Sequence, residues 1–148
     1  MVQKKNNYLK SIIRFLIQVG VAAALLMGFS IFHGGMYLIG VPKADEVQYV
    51  TVSYPEVTDG EKKITDREQI RLAVQLTGFL RYSLLKEADG GESPMITITY
   101  YRENQPAITV SANRNTVWWK GKSHVIRDPD MFVNLAEGIF FLEDLPES

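Results

Sequence analysis

The first forty residues and the remainder of the chain have different hydrophobic patterns. From Phe15 to Pro42 there is no Asp, Glu, Lys or Arg, and the run FLIQVGVAAALLMGFSIFHGGMYLIGV is almost wholly apolar. About 20 residues, rising 1.5 Å each, are enough to cross a hydrocarbon core of roughly 30 Å. The run therefore predicts a transmembrane helix over residues 15–41, preceded by a basic tail over 1–14 and followed by a folded domain over 42–148.

The charges that flank this run predict its direction. Lys4, Lys5, Lys10 and Arg14 precede it without an acidic residue among them, whereas Asp45 and Glu46 follow it. Because positively charged flanks stay on the cytoplasmic side, we expect the N-terminus in the cytoplasm and the C-terminal domain outside the cell membrane. A cleaved signal peptide is the alternative, but its apolar core is usually about 7–15 residues and ends at an A-x-A-like site.

After Pro42 the pattern changes to alternation and then to helical spacing. The stretch EVQYVTVSY alternates as a strand does, and PEVTDGEKK resembles a turn. Thr65 then opens the sequence T-D-R-E, a capping box that predicts a helix from about Asp66 to Lys86. Leu84 is expected to close the apolar stripe of that helix.

The last third of the chain predicts two hairpins and a final helix. MITITYYR and AITVSA, separated by ENQP, form the first hairpin. The segment TVWWKGKSHVIR forms the second around a Gly121-Lys122 turn, which places Trp118 opposite Val125 and Trp119 opposite His124. Asp128 is expected to cap the last helix, with Leu135 among its inward residues. The predicted fold class is α+β, in the order β-α-β-β-β-β-α, with the helices on one face of an antiparallel sheet.

Strand alternation assigns the two neighbouring tryptophans to opposite faces. Trp119 falls on the apolar face that the helices must cover, and Trp118 falls on a face of hydroxyls and aromatics. A face of this kind can simply meet water, since threonine and tyrosine favour exposed strands. Exposed aromatics also mark contact surfaces. The candidate interaction residues are Trp118, Tyr49, Tyr101 and Val125.

Small residues recur at helical spacing within the predicted span. Gly20, Ala24 and Gly28 lie at i, i+4 and i+8. Such a strip lets two helix backbones approach closely in lipid, which makes these three residues candidates for transmembrane packing. The alternative is that Gly and Ala are simply common in membrane helices.

Charge and composition exclude several classes of chemistry. From residue 45 onward 11 basic side chains stand against 17 acidic ones, a balance that argues against a nucleic-acid partner. The chain has no cysteine and two histidines, so it offers no thiolate nucleophile, no cysteine zinc site and no complete nucleophile–base–orienter set. We therefore expect no enzyme activity, no metal and no cofactor.

The order of VPKADEVQYVTVSY, ITDREQI and ITITYYRENQPAITV resembles small extracytoplasmic domains of Gram-positive bacteria. Some of those domains are borne on ABC-transporter permeases, and others on single-pass anchors of unknown function. The resemblance covers residues 41–142 and implies an envelope complex, such as a transporter, as the setting. The sequence thus predicts a membrane-anchored binding or accessory module whose partner is another membrane or envelope protein. A sensor that binds a small molecule or peptide is the alternative.

Overall fold

The computed structural model describes residues 2–88 and 91–145. The chain falls into two compact units that divide after Gly34. The first unit is one long helix, and the second is a domain with its own hydrophobic core.

Helix α1 spans Val2–Gly34, and its most apolar 18-residue window has no buried residue. Its stretch Gln3–Ile31 is the one helix among the described residues that is long and apolar enough to cross a membrane, a test that a signal sequence also passes. Phe15 is 64% exposed and Leu25 is 69% exposed. The helix begins earlier than the predicted span and ends before residue 41, because the chain turns at Gly35 and enters a strand.

The domain is α+β and contains one eight-stranded antiparallel sheet, which confirms the predicted fold class. The strands run in the spatial order β1-β4-β8-β7-β6-β5-β2-β3. Their bounds are β1 Met36–Tyr37, β2 Val47–Ser53, β3 Glu61–Ile64, β4 Arg81–Glu87, β5 Ile96–Arg102, β6 Gln105–Ala112, β7 Thr116–Trp119 and β8 Lys122–Ile126. Helix α2 covers Arg67–Phe79 and helix α3 covers Met131–Phe140.

Both short helices pack on the same face of the sheet. The Tyr100 hydroxyl of β5 donates to the Ala73 carbonyl of α2 at 2.6 Å. Tyr54, just after β2, donates to the Glu137 carboxylate of α3 at 2.7 Å. Burial and this carboxylate together raise the pKa of Tyr54 to about 12. Tyr54 and Tyr100 belong to the alternate set that also holds Val50 and Ile98, so the predicted apolar face is the one that the helices cover.

The segment from Gly35 to Val41 also covers part of this face. Leu38 is buried in the core, and the Trp119 indole nitrogen donates to the Ile39 carbonyl at 3.1 Å. Gly35 has φ +84°, and a Cβ at this position would lie 2.8 Å from the Tyr82 carbonyl oxygen, so only glycine fits. Trp119 is therefore a core residue, as predicted, and it holds the segment that enters from α1.

The predicted helix over residues 66–86 is wrong in its second half. Helix α2 ends at Phe79, and Arg81–Glu87 form strand β4, in which Leu84 is exposed. Tyr82 pairs with Ile126 on one side and with Met36 on the other, so long-range ladder contacts replace the local helical ones. The predicted capping box is also shifted, because the side chain of Asp66, the observed N-cap, accepts from the Gln69 amide.

Two further strands lie outside the predicted order β-α-β-β-β-β-α. Residues 61–64, expected to be a turn, form β3 at one edge of the sheet, where Ile64 pairs with Val50 and is buried. Residues 36–37, expected to be transmembrane, form β1 at the other edge. The domain order is therefore β-β-β-α-β-β-β-β-β-α.

The second predicted hairpin exists with its register moved by two residues. Trp118 pairs with Ser123 and Trp119 with Lys122, rather than with Val125 and His124. Lys120 and Gly121 are the central turn residues, and their φ values of 48° and 77° are those of a type I′ turn. A shift of two keeps every side chain on its predicted face.

Helix α3 begins later than predicted. Asp130, not Asp128, precedes its first residue, and Asp128 instead accepts from Arg81 at 2.9 Å. Leu135 is 45% exposed, while Val133 and Phe140 are buried. The buried stripe is formed by Phe132, Val133, Ala136 and Phe140, and Leu135 lies outside it.

Candidate interaction surface

The face of the sheet opposite to α2 and α3 is a polar and aromatic surface, hereafter called the open face. Thr97 and Ser111 are hydrogen-bonded across β5 and β6 at 3.0 Å, and Thr99 and Thr109 at 3.3 Å. Cross-strand hydroxyl pairs of this kind align side chains along neighbouring strands. The side chains of this face are Tyr49, Thr51, Thr97, Thr99, Tyr101, Thr109, Ser111, Thr116, Trp118, Ser123 and Val125.

Tyr49 and Tyr101 form a stacked pair on the open face. They pair across β2 and β5, and their rings stack with centroids 4.4 Å apart and an interplanar angle of 13°. The Lys63 ammonium of β3 lies 4.3 Å from the Tyr49 ring centroid, within the range of a cation–π interaction. Both tyrosines are half-buried. We call these three residues the tyrosine pair with its lysine.

Trp118 and Val125 lie on the same face but in a different part of it. Trp118 is in one row with Ser111 and Thr97, and Thr97 is four residues from Tyr101 along β5. At about 3.3 Å per residue and 4.8 Å per strand, this register separates Trp118 from Tyr101 by roughly 16 Å. The four predicted interaction residues therefore form two clusters.

The connection between β4 and β5 lies against the Trp118 cluster. Glu92 accepts from the Thr116 hydroxyl and from the Asn113 side chain, each at 2.8 Å. These two bonds lower the pKa of the Glu92 carboxyl. Thr116, which pairs with Val125, is buried as a result. Trp118 and Val125 are half-buried, as both tyrosines are.

The small residues Gly20, Ala24 and Gly28 form a strip on α1 that carries little side-chain bulk. A Cβ added at Gly20 or Gly28 would meet no atom within 4 Å. A shallow groove at the same level is lined by Ala24, Gly28 and Phe29, and the Phe29 ring is 4.2 Å from that of His33. Packing of this strip against another helix stays a prediction.

A cavity of about 400 Å³ lies at the junction of β4 and β8. His124 and Tyr82 line it with ring centroids 4.2 Å apart. Burial, assisted by the nearby Lys122 ammonium, lowers the pKa of His124 below its ordinary value of 6.5. Neutral imidazole and a phenol ring present flat surfaces suited to a small planar or apolar ligand.

Residues 2–88 and 91–145 contain no cluster of side chains that could form a metal site. No three His, Asp or Glu side chains in these ranges lie close enough to hold an ion. In comparisons with family models, with curated proteins and with solved structures, nothing matches this chain.

The sequence pattern does not indicate that Lys63 belongs to the open face or that the segment 35–41 belongs to the domain. Lys63 falls in PEVTDGEKK, which is predicted as a turn, although Ile64 next to it is buried. The segment 35–41 was assigned to the membrane span because its composition is equally apolar. An indication of its true role was the Gly34-Gly35 pair, since paired glycines often end a helix.

Proposed function

We propose that the chain is a membrane-anchored, extracytoplasmic binding or accessory module that is not an enzyme. The observation that carries the proposal is the contrast between the two units. The domain buries its apolar side chains in a core of its own, whereas the 29-residue stretch Gln3–Ile31 leaves its apolar side chains uncovered. Exposed apolar surface of that length is stable in a bilayer and unstable in water.

The basic tail supports the direction of insertion. Lys4, Lys5, Lys10 and Arg14 lie at the N-terminal end of α1, and the helix has no acidic residue in its first turn. The positive-inside rule keeps this end in the cytoplasm and carries the domain across. The partner is then a protein of the membrane or envelope, in keeping with the transporter setting that the sequence resemblance implies.

The tyrosine pair supports a binding role for the domain. Two stacked phenol rings and one lysine offer apolar area with polar rims at little entropic cost, as interaction hot spots commonly do. The strip of Gly20, Ala24 and Gly28 offers a second contact within the bilayer. A partner that spans the membrane would engage both surfaces.

Cysteine labelling tests anchor and direction, because the chain has no cysteine of its own. Ser11→Cys marks the N-terminal end of α1 and Ser123→Cys marks an exposed position of the domain. A maleimide that cannot cross membranes should label Ser123→Cys in intact cells and Ser11→Cys only after lysis. The reverse pattern would refute the direction, and loss of an N-terminal tag from the mature chain would identify a cleaved signal sequence.

Cross-linking and co-purification from detergent test the binding role. Tyr101→Ala should reduce capture of the membrane partner, while Leu135→Ala, an exposed change on α3, should not. Ala24→Leu adds bulk to the small-residue strip, and Ala22→Leu adds the same bulk to another side of the helix. If all four variants retained every partner, neither surface would be an interface.

The cavity between β4 and β8 supports a sensor as the second candidate. Its volume of about 400 Å³ is within the range of small-ligand sites, and the Tyr82 and His124 rings, tilted by 31° to each other, are among its lining residues. Thermal unfolding with envelope peptides or aromatic metabolites tests this candidate. A ligand that raises the melting temperature of the native chain, but not of His124→Ala, would favour the sensor over the accessory module.

A further inference from the structure

The end of strand β4 carries two exposed leucines that the core does not use. Leu84 is 51% exposed and Leu85 is 64% exposed. Neighbouring residues of a strand point to opposite faces, so both faces of the sheet are uncovered at this point. Strand β1 pairs only with Arg81 and Tyr82, so within the described residues the outer edge of β4 is uncovered from Ser83 to Glu87.

The antiparallel register of β1 and β4 shows which way this end projects. Met36 pairs with Tyr82 and Tyr37 pairs with Arg81, so residues before Met36 lie beside residues after Tyr82. The chain therefore enters the domain from the side toward which β4 extends. Gly35 is the single residue between α1 and β1, and two residue steps span at most about 7 Å.

Exposed lysines surround the two leucines. Glu87 pairs with His124, which brings the end of β4 beside the start of β8 and the turn before it. Lys86, Lys120 and Lys122 are all exposed there. They outnumber Glu87, the acidic residue of β4 itself.

From these observations we propose that the end of β4 and the β7–β8 turn rest on the bilayer that holds α1. Leu84 and Leu85 enter the headgroup region, and Lys86, Lys120 and Lys122 contact anionic lipid phosphates. The ligand is thus an anionic lipid surface. This inference depends on the proposed membrane anchor, because the short connection is what brings the leucines to the leaflet.

The lipid chemistry follows from the residue types. Leucine side chains gain free energy when they leave water for the acyl boundary, and interfacial segments combine such side chains with lysine. Each lysine near an anionic surface favours contact by about 1 kcal/mol, or about 5-fold in the equilibrium constant. The attraction falls within a Debye length of about 8 Å at physiological salt, so only the nearest lysines contribute fully.

Single-cysteine labelling of the full chain in lipid nanodiscs tests the proposal. Leu85→Cys carries an environment-sensitive fluorophore, and Leu142→Cys is the matched control. Leu142 is 71% exposed and follows α3, whose Phe140 carbonyl accepts from Lys62 of β3, the strand at the opposite edge of the sheet. In discs that contain phosphatidylglycerol, the label at 85 should shift to the blue and be quenched by headgroup nitroxides. The label at 142 should do neither.

Charge removal tests the role of the lysines. In the Leu85→Cys background, Lys120→Gln with Lys122→Gln should lower the ratio of docked to undocked label by roughly 25-fold, the product of two 5-fold effects. Discs of phosphatidylcholine alone should give at least that loss, because Lys86 loses its attraction as well. Far-UV circular dichroism and the thermal unfolding midpoint establish that each variant keeps the native fold.

Several results would overturn the proposal. Equal quenching of both labels would refute the insertion of the leucines into the leaflet. Equal docking on neutral and anionic lipid would refute the contact between the lysines and lipid phosphates. A blue shift in native membranes but not in pure lipid discs would identify a protein partner instead. Failure of the chain to co-elute with the discs would refute the anchor itself, and this inference with it.

Discussion

The contact between α2 and the sheet allows a quantitative prediction at Tyr100. This side chain is fully buried, and its hydroxyl lies 2.6 Å from both the Ala73 carbonyl and the Thr77 hydroxyl. A carbonyl can only accept, so the phenol proton goes to Ala73 and the Thr77 hydroxyl donates to the phenol oxygen. Burial raises the pKa of Tyr100, which keeps it neutral. Tyr100→Phe removes both bonds and leaves the ring.

The expected loss follows from the partners that remain. The Ala73 carbonyl keeps its helical bond from the Thr77 amide, whereas the Thr77 hydroxyl loses its acceptor in a site without water access. A net hydrogen bond is worth about 1 kcal/mol, and an unsatisfied buried group costs about 1–3 kcal/mol. Because the Thr77 hydroxyl can turn back to the Ala73 carbonyl, we expect Tyr100→Phe to lower the free energy of unfolding by roughly 1–2 kcal/mol.

The matched variant is Thr77→Val, which removes the donor and conserves volume. Tyr100 then keeps its bond to Ala73, so this loss should be smaller, about 0.5–1 kcal/mol. The double variant leaves no orphaned hydroxyl and should cost less than the sum of the single changes, with a coupling of at least about 0.5 kcal/mol. Thr99→Val, on the open face, is the control for the Thr-to-Val change itself.

Urea unfolding of the full chain in detergent, followed by circular dichroism, measures these differences. With a slope of about 1.5 kcal/mol per molar urea, Tyr100→Phe should move the midpoint by roughly 1 M. Strict additivity of the two changes, or a Thr77→Val loss larger than that of Tyr100→Phe, would refute the assigned direction of the hydrogen bonds.

Three smaller predictions concern the pH dependence, the turn and the helix cap. The pKa of His124 is lowered in the folded state, so the unfolded chain binds more protons near pH 6. The stabilisation from neutral His124 should be complete above pH 6.5 and should be lost as the pH falls through the folded-state pKa. His124→Gln should flatten this pH dependence in a pH series of thermal unfolding. Gly121→Ala, at φ 77°, should cost about 1 kcal/mol, whereas Lys120→Asn, at φ 48°, should be neutral or stabilising; equal losses in chemical unfolding would argue against the type I′ turn. Asp66→Ala should cost about 1 kcal/mol and Thr65→Ala almost nothing, and the opposite ranking would restore the capping box that begins at Thr65.

The sequence was sufficient to predict strands whose hydrophobic alternation is compatible with no other secondary structure. Val50, Val52, Ile96 and Ile98 alternate without interruption, and all four are buried in strands as predicted. The hairpin register was wrong by two residues, because Gly121 fits either central position of a two-residue turn. The faces were unaffected, since side chains repeat every two residues.

Strand β4 was missed because its apolar residues satisfy two periods at once. Leu80 and Leu84 are four residues apart, as on a helix face, but Leu80, Tyr82 and Leu84 also alternate as in a strand. The choice between these patterns depends on Met36 and Ile126, which are distant in sequence and pair with Tyr82. Local reasoning has no access to such partners.

The sequence predicts which side chains belong to the candidate interaction surface, but not how far apart they lie on it. Tyr49 and Tyr101 were assigned to one face, and the structure stacks them. Their distance from Trp118 depends on the strand order, and their contact with Lys63 depends on β3, whose four residues carry little pattern of their own. Whether these surfaces are interfaces is a prediction for the labelling and capture experiments above.

The glycine that precedes β1 has a consequence for the edge of the sheet. Gly35 has φ +84°, and a Cβ there would lie 2.8 Å from the Tyr82 carbonyl oxygen. A larger residue at this position would therefore push β1 away from β4, the strand with which it pairs. The pairing of β4 with β8 does not depend on Gly35, so the first strand of the domain can detach while the rest of the sheet keeps its hydrogen bonds.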